Sequence, residues 1–236
     1  MSTPNTPPQE GFHSRVLERK SLPFAILTTI AILIGGLVEI IPMYSLRADS
    51  QLVETAPLTP LEQAGRDLYI REGCVNCHSQ MIRPLRAETM RYGEWSRAAE
   101  VQHDRPFLLG SRRIGPDLAR VGGRYPDAWH YEHMLDPRET SPGSIMPPYP
   151  WLYRRSIDTR DVQRTMRTLQ RLGTPYSDAT VANTAELLQR DGELIAQGLR
   201  DAGYDDARWD QEIIALIAYL QRLGNDIDLI IAAEQQ

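Results

Sequence analysis

The chain opens on a polar stretch, turns apolar on every side for twenty residues, and then follows helical spacing to its end. Residues 1–14 are rich in Pro, Ser, Thr and Gln and predict a disordered tail. Leu22–Ile41 (LPFAILTTIAILIGGLVEII) carries Glu39 as its only charge. At about 1.5 Å per residue it reaches roughly 30 Å, the thickness of a bilayer core. A buried helix of a soluble protein is rarely apolar on every face. A cleaved signal has a shorter core and small residues at its cleavage site, whereas Ile40-Ile41-Pro42-Met43-Tyr44 is bulky, so an uncleaved anchor is expected. Arg15, Arg19 and Lys20 precede the span and only Arg47 closely follows it. The positive-inside rule then leaves residues 1–21 in the cytoplasm and exports the remainder. Glu39, near the outer end, reads as an interfacial carboxylate.

Residues 42–58 predict a tether. Thr59-Pro60 is a helix start, with the hydroxyl as N-cap and proline at the first helical position, and the helix should run to about Glu72. Gly65 and Tyr69 then share a face. Asp210–Leu223 places Ile213, Leu216, Ile217 and Leu220 at helical spacing before Gly224. Further helices are expected from about Thr159 and over Ser177–Ala202. Leu169–Gly173 and Leu220–Gly224 echo each other as two similarly capped helix ends, too short a match for a repeat architecture. The exported domain is drawn as 59–224, with 225–236 as a C-terminal tail.

Composition narrows the partners. The 236 residues are 42% hydrophobic and 24% charged, enough for one domain plus additions, and the net charge of −5 argues against nucleic acid. Residues 62–125 carry eleven Arg against eight acids, whereas 178–236 carry four Arg against twelve. The acidic end reads as a solvated helical face or as a surface for a basic partner.

The only two cysteines stand together in Cys74-Val75-Asn76-Cys77-His78. Cys-x-x-Cys-His is the attachment pattern of a c-type haem. Each cysteine can form a thioether to one vinyl group, and His78 falls on the iron as proximal ligand. A redox dithiol needs no following histidine, and a structural zinc site usually needs a second ligand pair.

A low-spin electron-transfer haem takes a sixth ligand, commonly a methionine whose soft thioether raises the potential. Met81 follows His78 too closely to reach the opposite face. Met134 and Met166 fall in expected helices, where methionine fills space, and Met90 has no rigid setting. Met146 lies in Ser144-Ile145-Met146-Pro147-Pro148-Tyr149-Pro150, a proline-stiffened loop that can hold a sulfur in place. His103, His130 and His133 are the other conceivable ligands. His130 and His133 are three apart on an expected helix, a spacing that reads better as a surface or propionate-contact role. Arg113, Arg124, Tyr125, Trp129 and Trp151 are candidates for propionate contacts or pocket walls.

Gly65 and Tyr69 on a helix ending at Cys-x-x-Cys-His, with Ala218-Tyr219-Leu220 on a C-terminal helix, resemble the class I cytochromes c. The fold implied is all-α: a single transmembrane helix followed by a class I cytochrome c-like domain with extra loops and helices. The resemblance implies that the two helices cross, Gly65 and Tyr69 meeting Leu216, Tyr219 and Leu220. It also implies that Met146 is the sixth ligand, and that the Pro116 carbonyl in Ile114-Gly115-Pro116-Asp117-Leu118 accepts a hydrogen bond from His78.

CVNCHSQMIRPLRAETMRYGEWS, GSRRIGPDLARVGGRYPDAWHYEHMLDPR and SIMPPYPWL carry a more specific resemblance, to the monohaem subunit of the cbb3-type cytochrome c oxidases. It implies one covalent haem c and a bacterial cytoplasmic membrane with the haem domain periplasmic. The implied partners are membrane lipid, a dihaem cytochrome c subunit that supplies electrons, and a catalytic haem-copper subunit that reduces oxygen. The chain itself would hold no catalytic centre. A membrane-tethered cytochrome c shuttle and a haem sensor with an open iron position are the alternatives. The long loops between His78 and Met146 suit permanent subunit contacts better than a shuttle.

Overall fold

A computed structural model describes residues 11, 13, 19–49, 53–110 and 112–235. Most of the expected disordered tail, and Arg15 of the charge flank, lie outside the described residues. The chain divides into two units between Leu52 and Val53. In the first, helix α1 (Ser21–Asp49) contains an apolar stretch, Ser21–Pro42, long enough to cross a membrane. Its large side chains, from Leu22 to Ile41, are exposed around the helix, as a lipid-facing surface requires. The Thr29 hydroxyl donates to the Ala25 carbonyl at 2.9 Å and so needs no outside partner. The helix runs through Pro42 to Asp49, so the start of the expected tether is helical.

The second unit begins with a strap. The Thr55 hydroxyl donates to the Ala99 carbonyl at 3.1 Å, and Tyr176 Oη donates to the Leu58 carbonyl at 2.8 Å. Residues 53–58, expected as free tether, are therefore fastened to the domain. Helix α2 (Pro60–Arg71) starts with the expected cap. The Thr59 hydroxyl accepts from the Glu62 N–H at 3.3 Å, and the Glu62 carboxylate accepts from the Thr59 N–H at 2.7 Å. Short helices α3 (Arg86–Tyr92), α4 (Asp127–Leu135) and α5 (Pro137–Thr140) follow, then α6 (Thr159–Arg171), α7 (Asp178–Ala182), α8 (Thr184–Asp201), α9 (Glu212–Arg222) and α10 (Ile227–Glu234).

The core is the crossing of α2 on α9. Glu212 through Leu220 are all buried, so α9 is enclosed on every face rather than amphipathic. Gly65 makes the crossing possible: a Cβ there would lie 1.9 Å from the Ala215 carbonyl oxygen and 2.7 Å from the Tyr219 Cβ. Tyr69 and Tyr219 meet with ring centroids 5.5 Å apart. Arg71 clasps the Glu212 carboxylate with contacts of 2.8 and 2.5 Å.

Two expectations change. The helix expected over Ser177–Ala202 is broken at Asn183 into α7 and α8, and Gln163 Nε2 donates to the Val181 carbonyl at 2.9 Å beside the break. The stretch expected as a C-terminal tail forms α10, with Ile227 and Ile230 buried and Glu234 held by Arg97 at 3.1 Å.

Candidate haem-binding site

Helix α2 hands the chain directly to the cysteine motif. Gly73, at φ +77°, makes a left-handed turn that L side chains resist, and Cys74–Asn76 follows as a single 3₁₀ turn. Backbone N–H groups of Cys77 and His78 donate to the Cys74 carbonyl at 3.1 and 2.9 Å. This turn brings both cysteines and the histidine into one short arc. Neither cysteine is in a disulfide; Cys74 is buried and Cys77 half-buried. Burial pushes the Cys74 thiol up to about 12, which keeps it protonated.

The histidine is aimed by a carbonyl. His78 Nδ1 lies 2.8 Å from the Pro116 oxygen. A carbonyl only accepts, so Nδ1 carries the proton and the Nε2 lone pair is left for a metal. Burial holds the imidazole below its ordinary pKa, and the Pro116 bond offsets this only in part, so the ring is neutral near pH 7. Gly115 lets the loop come this close. A Cβ there would stand 2.3 Å from His78 Cε1.

Met146 lies in the loop that follows α5. Its N–H donates to the Ser144 hydroxyl at 3.2 Å, and its side chain is half-buried against the hydrophobic core. Three residues on, the Tyr149 N–H donates to the Met134 carbonyl at 2.8 Å, tying the loop to the end of α4. Burial pushes the Tyr149 hydroxyl up to about 12. Trp151 Nε1 donates to Glu72 at 3.0 Å, pinning the end of the loop next to Cys74. Cys74, Cys77, His78 and Pro116 thus form one contiguous group, and the Met146 loop is fastened on its C-terminal side through Tyr149 and Trp151.

Tyr125, Trp129 and His133 stack in sequence, with centroids 4.1 and then 4.5 Å apart. His133 is held below its ordinary pKa by burial. His130 is buried, its Nε2 has no partner among the described residues, and desolvation lowers its pKa to about 4. Met134 and Met166 are buried fillers, as expected, and Met90 is exposed. His103 instead bonds the Thr55 carbonyl at 3.0 Å. Arg113, a candidate propionate contact, is consumed elsewhere, by Ser79, the Met81 carbonyl and Glu88. Reading the sequence missed Asp117 and Glu88, buried acids that mate with this arginine. An acid after Pro116 and a serine after His78 were the only signals, and neither is periodic.

These features fit a c-type haem: a thiol pair spaced for two thioethers, a neutral imidazole with Nδ1 committed, and a glycine that makes room for the ring. An all-α domain in which a glycine-bearing N-terminal helix crosses a C-terminal helix and ends at such a motif defines a cytochrome c-like protein. Comparison with known families narrows the class. The family described as cytochrome c oxidase, mono-heme subunit/FixO, matches residues 14–227, and the chain belongs to it. No curated protein matches the chain. The family is one of oxidoreductase subunits that carry one haem, and α1 fits the membrane anchor of such a subunit.

Proposed function

We propose that this chain relays electrons through one haem c bound covalently by Cys74 and Cys77, with His78 and Met146 as axial ligands to the iron. Residues 1–21 would lie in the cytoplasm, 22–41 in the membrane, and the domain from Thr59 in the periplasm. Electrons would enter from a dihaem cytochrome c subunit and leave to a catalytic haem-copper subunit that reduces oxygen to water.

The observation that carries the reading is the 2.8 Å bond from His78 Nδ1 to the Pro116 carbonyl. It fixes the tautomer, orients the ring and raises its basicity as a ligand. The bound group supplies a reversible one-electron couple. The chain's own residues do the rest. Cys74 and Cys77 hold it without an equilibrium to dissociate. His78 and Met146 would hold the iron, and the same pair in both oxidation states would keep the reorganisation on transfer small. Aromatic and aliphatic side chains packed about the bound group would keep water away and hold the local dielectric low.

Extraction of native membranes in mild detergent, followed by native gels stained for haem, tests the assignment. The haem-stained chain is expected to migrate with oxygen-reducing activity as a large complex. Migration only as a small monomer would support the tethered shuttle instead.

A further inference from the structure

The cluster around Asp117 has no part in holding a haem as described so far. Its carboxylate is fully enclosed, with 0% side-chain exposure. A charge so placed costs several kcal/mol unless it is fully bonded. Here it is. Oδ2 accepts from the Ser79 hydroxyl at 2.6 Å and the Met81 N–H at 3.0 Å, and Oδ1 accepts from the Ala119 N–H at 2.9 Å. Arg113 Nη2 stands 3.3 Å from Oδ2, and its Nε donates to the Ser79 hydroxyl at 2.8 Å. Glu88 accepts from the same Nη2 at 2.8 Å.

Every one of these bonds joins the same two segments or braces their junction. One segment, 77–81, carries His78; the other, 113–119, carries Pro116. Backbone bonds extend the seam, from the Gly115 N–H to the Cys77 carbonyl and from the Leu118 N–H to the Ser79 carbonyl, both at 2.9 Å. The imidazole-to-carbonyl bond lies inside this seam, one residue from Asp117 and one from Ser79. We infer that Asp117 is a positioning residue for the proximal ligand: its carboxylate, clamped by Ser79, Met81 and Arg113, holds the Pro116 carbonyl at the distance that keeps His78 Nδ1–H strongly bonded, and so helps set the haem potential. The inference rests on the reading of His78 as the axial ligand.

Loosening the clamp weakens the Nδ1–H bond, makes His78 a poorer donor and favours ferrous iron. Loss of the buried negative charge acts in the same direction, so a neutral change is needed to separate the two effects. Ser79→Ala provides it, and Asp117→Asn provides the larger perturbation.

The test uses the full-length, haem-loaded chain in detergent micelles. Hydrogen exchange of His78 Nδ1–H is followed by NMR in the ferrous state, and the midpoint potential is followed by optical redox titration. Asp117→Asn should speed exchange by about tenfold or more, the scale of one charge-assisted bond, and raise the potential. Ser79→Ala should shift both in the same direction by less, and Arg190→Gln on the exposed face of α8 should shift neither. Haem-loaded variants with wild-type exchange and potential would overturn the inference. If Asp117→Asn does not fold, Ser79→Ala decides alone. A wild-type spectrum without an iron-bound His78 would remove the ligand assignment and this inference with it.

Discussion

Gly65→Ala puts the α2–α9 crossing to a quantitative test. The added Cβ would meet the Ala215 carbonyl oxygen at 1.9 Å, the Ala215 carbonyl carbon at 2.6 Å and the Tyr219 Cβ at 2.7 Å. Two of these atoms are backbone inside an enclosed helix, so no side-chain rotation relieves the clash. The helices must part by about 1.5 Å to restore ordinary contact, and a gap of that order forfeits half or more of each local dispersion well. Overpacking costs about 1–3 kcal/mol where side chains can yield, and this site lies at or above the upper end. Alanine returns about 1 kcal/mol of helix propensity. The net loss is on the order of 2–4 kcal/mol, which for a domain of this size lowers the melting temperature by roughly 5–15 °C. Gly198 is the control, since a Cβ there meets nothing within 4 Å. The same substitution at Gly198 should be neutral or stabilising by up to ~1 kcal/mol. Thermal melts of the two haem-loaded variants, read by far-ultraviolet circular dichroism, decide it. Equal melting temperatures for the two would refute the close crossing.

Other consequences follow from the site. Met146→Ala should leave haem attachment intact, open a coordination position and let carbon monoxide bind the ferrous form readily; wild-type carbon monoxide reactivity and spectrum in this variant would exclude Met146 as ligand. His130 has its pKa depressed to about 4 by burial, below its unfolded value near 6.5, so the unfolded chain binds the extra proton. Its contribution is therefore complete above about pH 6.5 and is lost as pH falls towards 4, on the order of 1–2 kcal/mol by pH 5. Urea unfolding at the two pH values measures this, and His130→Gln should flatten the difference.

Local chemistry was readable wherever it was local. Thr59, Pro60 and Glu62 announce the start of α2 because a cap is a contact among near neighbours, and Cys74–His78 announces a cofactor because thioether spacing is a short-range constraint. Gly65 became meaningful only through resemblance, since the carbonyl it admits is 150 positions away. Beside the break at Asn183, Gln163 on another helix donates to the Val181 and Ala182 carbonyls, a contact that periodicity within one segment does not register. Residues 53–58 and 227–234 read as connections and tail because their partners, such as Ala99, Tyr176 and Arg97, are distant in sequence. Arg113 shows the same limit within the site. Its charge suggested a propionate, and only the fold shows Asp117 and Glu88 reaching it first.

In the proposed relay, electrons pass through the haem held at Cys74, Cys77 and His78 on their way to oxygen. Flow-flash oxidation of the fully reduced complex, in which this haem is resolved optically, follows that route. The haem is expected to be oxidised after the catalytic centre and at least as fast as steady-state turnover. A haem that stays reduced while the complex continues to consume oxygen would contradict it.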